Sequence, residues 1–402
     1  MKILHTADWH LGKKLDFYSR HKEQVEVMQE IESIADEQQV DAIIIAGDLF
    51  DNFNPPIEAV DLFYQTLKNL SNNGKRPVIA IAGNHDAPQR IDAPDPLARA
   101  SGIILIGHPK ALVKPFTSPN SFEVVKSDYG FLGLKLAQFD YPLRVIHTPY
   151  ANEARMKQYL DEEDQKNTLN EALRSHWQFL ADNYCDSNGV NILMTHLYMM
   201  QKGKPTPEEP EGERPLRIGN AELIDSNHIP NIIQYTALGH LHQCFNIGSE
   251  ESPAYYAGSP LSYSFSEAGQ KKHVLIVDLE PEKSPVVEKI ELKKGRKLER
   301  KAFNSILDAE SYLLANPGSL FELSIRSDIY LTAEEISKLR RASDGIIHLI
   351  PIVNSPEEGP TASRRINLSE DMETLFVNYF TSQHGQKPSK EILEIFNELT
   401  TK

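Results

Sequence analysis

At 402 residues the chain is too long for one simple core, so two or three domains are expected. A net charge of −15 argues against a protein that coats nucleic acid by bulk electrostatics, although local patches and bound metals set their own fields. Its 40% hydrophobic and 25% charged residues are those of an ordinary water-soluble fold, and the two cysteines, Cys185 and Cys244, lie in no CxxC pair, which excludes a disulfide framework and a thiolate zinc site and fits a reducing cytosol.

Met1 leads straight into the strand-like run Ile3-Leu4-His5, with no basic segment followed by an apolar one, so no signal peptide is expected. No apolar run approaches the ~20 residues that span a bilayer, and the expected location is cytoplasmic. Short Ile/Val-rich runs at 3–5, 42–46, 78–82, 103–106, 190–194, 235–238 and 274–277 read as buried strands. Helical periodicity at 23–38 and 58–70 lies between the first of them, an α/β pattern. Residues 201–219 are rich in Pro, Gly and Glu and read as a surface loop. The composition shifts at 280–285, which sets a first domain over 1–279. Beyond it a strand at 286–292, a helix at 305–315, a strand at 320–326 and a helix at 333–341 predict a small α+β domain over 280–354. A Pro/Gly/Ser/Glu-rich linker at 355–363 precedes a helical tail completing the segment 355–402.

Five short motifs carry the chemistry: Asp8-Trp9-His10, Gly47-Asp48-Leu49-Phe50-Asp51, Gly83-Asn84-His85-Asp86, Thr195-His196 and Gly239-His240-Leu241-His242. Each follows an apolar strand candidate, and loops beyond the carboxyl ends of strands in α/β sheets converge on one crevice. Gathering two Asp, one Asn and five His around one point is costly unless something uses their lone pairs. Divalent cations do, and a His/Asp/amide set without sulfur suits borderline-to-hard ions. The count fits two metals, with Asp48 bridging, Asp8, His10 and His242 on one ion, and Asn84, His196 and His240 on the other. Two such ions over two carboxylates leave a net positive centre, which suits a phosphodiester anion. One Asp-x-His or His-x-His alone is a weak signal; the ordered set at successive strand ends is a strong one.

At these motifs the sequence resembles the calcineurin-like metallophosphoesterases, with every ligand position filled. By that resemblance His85 is not a ligand; it sits over the phosphate and protonates the leaving oxygen. Asp86 is then its orienting partner and Asp51 an outer group, unless either caps a turn. The resemblance narrows to the SbcD branch of the Mre-type nucleases at His5-Thr6-Ala7-Asp8-Trp9-His10-Leu11-Gly12, at Gly83-Asn84-His85-Asp86-Ala87-Pro88-Gln89-Arg90, and at Ala257-Gly258-Ser259-Pro260-Leu261 continuing into Ser264-Phe265-Ser266-Glu267. That family usually has Ser where Ala7 and Ala87 stand. The resemblance implies a four-layer α-β-β-α sandwich with a small α+β capping domain and a C-terminal helical tail. It also implies manganese, with magnesium as the alternative, and a nuclease acting on duplex DNA ends and on hairpins or single strands in DNA repair, recombination and replication. The implied partner is an SbcC-type coiled-coil ATPase, with a homodimer of this chain inside a heterotetramer.

Residues 289–301 hold seven basic and two acidic side chains, and Lys293, Lys294, Arg296 and Lys297 are the DNA-contact candidates, a solvated charged loop being the alternative. In the tail Met372, Leu375, Phe376 and Tyr379 recur at helical spacing, as do Ile392, Ile395, Phe396 and Leu399. Ser369 and Ser389 are candidate N-caps. So short a helix pair must dock on something; Leu375, Phe376, Tyr379, Ile392, Phe396 and Leu399 are the candidate contacts with the base of the ATPase coiled coil, and docking back on the parent domain is the alternative. Phe17, Phe50 and Phe53 near the first two motifs fit base stacking or core packing. Two rival readings remain: a calcineurin-like phosphatase or phosphodiesterase on a non-DNA substrate, and a non-catalytic scaffold.

Overall fold

The computed structural model describes residues 1–109, 111–119, 121–150, 169–201, 204, 223–327, 331–353, 372–384, 388–389, 392–393 and 396. It divides into two compact units, Met1–Gly295 and Arg296–Lys402.

The first unit is built on two sheets. In the six-stranded sheet Lys2–Thr6, Ala42–Ala46, Val78–Ile81 and Ile103–Ile106 run parallel, and His273–Asp278 pairs antiparallel with Lys2–Thr6. The eight-stranded sheet has a parallel centre of Leu143–Thr148, Val190–Thr195, Tyr235–Leu238 and Ala254–Tyr256. Strands such as Ala42–Ala46 are buried at every position because both faces are covered.

Side-chain alternation builds the layers. Ala42, Ile44 and Ala46 face the second sheet and meet a core that includes Ile192, Met194, Tyr235 and Ala237. Ile43 and Ile45 point the other way, onto Val27, Met28 and Ile31 of the helix His21–Glu37 and Phe63 and Leu67 of the helix Ile57–Leu70. On the outer face of the second sheet Ile146, Leu193 and Leu238 pack against Leu173, Trp177 and Leu180 of the helix Leu169–Tyr184. The result is the α-β-β-α stack. Each such aliphatic side chain contributes roughly 1.5–3 kcal/mol by leaving water.

The second unit holds a parallel sheet of Lys297–Phe303, Ser319–Ser327 and Ile346–Val353. The helices Ile306–Ala315 and Ala333–Ala342 connect its strands, capped by Ser305 and by a Thr332/Glu335 capping box. Leu313, Phe321, Leu323 and Leu339 centre its core.

The division falls later than the expected 279/280. Val286–Glu291 hydrogen-bonds along His273–Asp278 and completes the six-stranded sheet, so it belongs to the first unit. The first strand of the small sheet is Lys297–Phe303, inside the stretch whose charge masked its alternation. In the tail Met372–His384 is a helix. The linker 355–363, Ser369, Ile395, Leu399 and most of 201–219 lie outside the described residues.

Candidate metal centre

The strand ends at Thr6, Ala46, Ile81, Thr195 and Leu238 deliver the five motifs to one place. Backbone bonds lace the first two loops together, from Asp8 N–H to Gly47 O at 3.0 Å and from His10 N–H to Asp48 O at 3.0 Å. Four of the predicted ligands have left-handed backbones: Asp8 at φ 53°, His10 at 45°, Asp48 at 48° and His240 at 101°. Such conformations are strained for residues with a Cβ and cluster at functional sites. The glycines have a different reason. A Cβ on Gly47, at φ +91°, would lie 2.2 Å from His196 Nδ1, and one on Gly239 would lie 1.9 Å from Ala46 O. The two sheets approach too closely at their strand ends for any side chain there.

The donor atoms form two overlapping groups, Asp8/His10/Asp48 and Asp48/His196/His240, each with its ligand atoms within 4.8 Å of one another. Asp48 belongs to both. Its Oδ2 is 3.5 Å from His10 Nε2 and 3.3 Å from His196 Nε2. His196 Nδ1 lies 2.8 Å from Ala46 O, a carbonyl that only accepts, so Nδ1 carries the hydrogen. Its Nε2 therefore aims at Asn84 Oδ1, 2.9 Å away, as well as at Asp48. His242 Nε2 likewise faces His10 Nε2 at 3.0 Å. Asp8 Oδ2 is buried with no hydrogen-bond partner among the described residues. Acceptors crowded on acceptors are unfavourable until a cation lies between them. The donor set fits divalent metal on that ground, and Asp8, His10, Asp48, Asn84, His196, His240 and His242 are the residues that would hold it.

Without a cation the same crowding recruits protons. Burial pushes the Asp8 carboxyl up to about 7, against the pull of His196 and His242. Burial opposes charge on His196, but the Asp48 and Asp8 carboxylates outweigh it and hold the imidazole up at about 9. Asp48 goes the other way: His196, His10 and His85 overcome its burial and keep it far below the ordinary carboxylate range.

His85 lies beside this cluster, its ring 4.8 Å from that of His10 between centroids. Its backbone N–H donates to Asp48 Oδ1 at 2.9 Å, and its Nδ1 meets the carbonyl of Asp51 at 2.7 Å. Asp51 thus orients His85 through its backbone, and its carboxylate joins His10 and His85 in a third group of donors. Asp86 differs from the expected orienting partner. Its carboxylate accepts from Gly83 N–H at 2.8 Å, Leu49 N–H at 3.0 Å and Phe50 N–H at 2.9 Å. It fastens the loop at 83–86 to the loop at 48–50, the turn-capping alternative. Burial, with Asp48 adding to it, raises Asp86 to about 6.

Sequence reasoning gave no task to Glu267, which sits 3.2 Å from His242 Nδ1. The stretch 257–267 stood out in the sequence, but nothing in its spacing says that the turn folds back onto the metal centre.

Residues 1–244 match the calcineurin-like phosphoesterase family. The SbcD component of the SbcCD nuclease of Bacillus subtilis is 37% identical over 410 aligned residues, covering 100% of this chain and 98% of its own length. The chain belongs to the SbcD family of calcineurin-like phosphoesterases. A second SbcD relative, from Staphylococcus epidermidis, is 29% identical over 394 residues, covering 96% of this chain and 94% of its own.

Away from the centre the basic stretch of the chain is less free than its sequence suggests. Arg296 pairs with Asp344 at 2.9 Å and donates to Ser319 O, while Arg300 pairs with Glu322 at 2.6 Å. Lys293, Lys294 and Lys297 are exposed, and the backbone N–H groups of Lys293 and Lys294 are held by the Glu30 carboxylate. Phe50 is core, 4.8 Å from Phe63, whereas Phe17 and Phe53 are exposed at 64% and 40%. In the tail Phe376 and Phe396 stack at 4.0 Å with 7° between their planes. Leu375 is half-buried, and Tyr379 and Ile392 are exposed. No described helix is long and apolar enough to cross a membrane.

Proposed function

We propose that the chain is a two-metal DNA nuclease that works with an SbcC-type coiled-coil ATPase in DNA end processing. The observation that carries the reading is Asp48, a single carboxylate placed between two groups of metal-ligating side chains at the meeting point of two sheets. Divalent ions held there, manganese or magnesium, supply Lewis acidity toward a phosphodiester and toward the attacking water. Asp8, His10 and His242 bind on one side of Asp48, and Asn84, His196 and His240 on the other. His85, anchored through Nδ1 to the Asp51 carbonyl, presents Nε2 to the scissile phosphate and passes a proton to the leaving oxygen.

The likeness to the two relatives named as subunits of the SbcCD nuclease supports nuclease action within a multi-subunit complex; DNA as substrate, a coiled-coil ATPase as partner and a cytoplasmic location are part of the proposed reading. Exposed Lys293, Lys294 and Lys297 are the proposed backbone contacts with DNA; Arg296 is committed to Asp344. Double-strand exonuclease and single-strand or hairpin endonuclease action, and a homodimer within a heterotetramer, complete the proposal. The tail residues Leu375, Phe376, Tyr379, Ile392 and Phe396, with Leu399, are the proposed docking points for the ATPase.

The test is degradation of linear duplex DNA with MnCl2, comparing wild type with His85→Ala, with and without the partner ATPase. Cleavage by wild type and a drop of about 10²-fold or more in the variant, with metal content unchanged, is the expected result. Turnover of a small phosphate ester with no cleavage of DNA under any of these conditions would replace the nuclease with a phosphatase.

A further inference from the structure

The two sides of the metal centre are supported differently. On the side of Asn84, His196 and His240, the imidazole of His196 is oriented by a backbone carbonyl, Ala46 O at 2.8 Å. On the side of Asp8, His10 and His242 the support comes from side chains of the turn at 257–267. Glu267 is 2% exposed, and its Oε1 lies 3.2 Å from His242 Nδ1. The same oxygen accepts from Tyr263 N–H at 3.0 Å and Ser264 N–H at 3.1 Å, so the carboxylate is built into its own turn. Its Oε2 pairs with the buried Lys272, whose Nζ also donates to His242 O at 2.9 Å and Ser259 Oγ at 3.0 Å. Tyr263 donates to the Trp9 carbonyl, and Gln24 donates to Tyr263 and to the His10 carbonyl. Arg20 holds the turn from outside, bonded to Glu23 and to Ser262 O.

A carboxylate accepts and does not donate, so the hydrogen of neutral His242 stays on Nδ1 and its Nε2 lone pair is aimed at His10 Nε2. We propose that Glu267 is a positioning residue that fixes the tautomer and orientation of His242, so that its loss weakens one metal position and spares the other. The proposal rests on the two-metal reading above. Carboxylate partners of metal-bound imidazoles change metal affinity by roughly 10–100-fold when removed. On His196 the hydrogen bond of Nδ1 goes to main chain, Ala46 O at 2.8 Å, with the Asp8 carboxylate farther off at 3.7 Å.

The test is titration of the metal-free full chain with MnCl2 by calorimetry, with electron paramagnetic resonance reading whether bound ions form a coupled pair. Wild type is expected to bind two ions. Glu267→Ala is expected to keep one at wild-type affinity, to lose at least tenfold in the other, and to show an uncoupled single-ion signal at one equivalent. Glu267→Gln, which keeps an acceptor in place but removes the charge and is the safer variant for folding, is expected to show a smaller loss at the same position. A folded Glu267→Ala that binds both ions as tightly as wild type, or loses both by the same factor, overturns the proposal. If Glu267→Ala does not fold, Glu267→Gln with both affinities unchanged does so. Fewer than two ions in wild type would instead overturn the two-metal reading and this proposal with it.

Discussion

Replacing Asp86 by alanine separates two roles that the sequence left side by side. As a fastener, Asp86 satisfies three backbone N–H groups, those of Gly83, Leu49 and Phe50, at 2.8–3.0 Å, and it is fully buried. Truncation strands three buried donors at about 1–3 kcal/mol each. The space left by the carboxylate can admit water, so the low end applies and the loss is about 3 kcal/mol. The first unit runs from Met1 to Gly295, beyond the roughly 150–250 residues for which 1 kcal/mol moves the melting midpoint by about 2–4 °C, so the low end applies and the expected drop is about 6 °C. The assay is thermal unfolding of wild type and Asp86→Ala in EDTA, followed by circular dichroism, with DNA cleavage measured in parallel below both midpoints. The loop carrying Asn84 and His85 is loosened as well, so manganese affinity falls together with stability. A midpoint within about 2 °C of wild type, with cleavage alone abolished, would refute this reasoning and return Asp86 to the role of orienting His85.

Two further predictions concern charge. In the metal-free chain the folded values of Asp8 (about 7, ordinarily 3.8) and His196 (about 9, ordinarily 6.5) lie above their unfolded values. The folded state therefore holds more protons, and stability falls as pH rises. The His196 contribution is fully present below about 6.5 and is lost through about 9, a window in which Asp48, held far below its ordinary range, stays charged and contributes no slope. Melting midpoints in EDTA should fall between pH 6.5 and 9, and manganese, which replaces those protons, should flatten the curve; equal slopes with and without metal would contradict this. Separately, Lys293→Ala with Lys294→Ala should reduce the slope of log affinity for DNA against log salt by about two, read by fluorescence anisotropy. An unchanged slope would remove both lysines from the interface.

Much of the candidate site was legible because it is local in sequence. Each candidate ligand stands two to five residues beyond an apolar run, and a strand buried on both faces announces itself by its Ile and Val content. Ala42–Ala46, Ile103–Ile106 and Tyr235–Leu238 have the ends their composition marks. The fold class followed from the same runs, together with the family resemblance of the motifs. The boundary of the small unit did not, because Val286–Glu291 joins the six-stranded sheet by pairing with His273–Asp278, and pairing depends on which edge is open in space. The basic stretch at 289–301 read as one patch, and folding divided it: Arg296 and Arg300 found Asp344 and Glu322, acids 48 and 22 residues further along the chain. Asp86 and Glu267 show the same division. The sequence places Asp86 inside a candidate metal-binding motif and Glu267 in a turn 25 residues beyond His242. Only the tertiary structure decides which hydrogens they accept, since a carboxylate's role depends on the few ångströms around it and those are filled by residues distant in the chain.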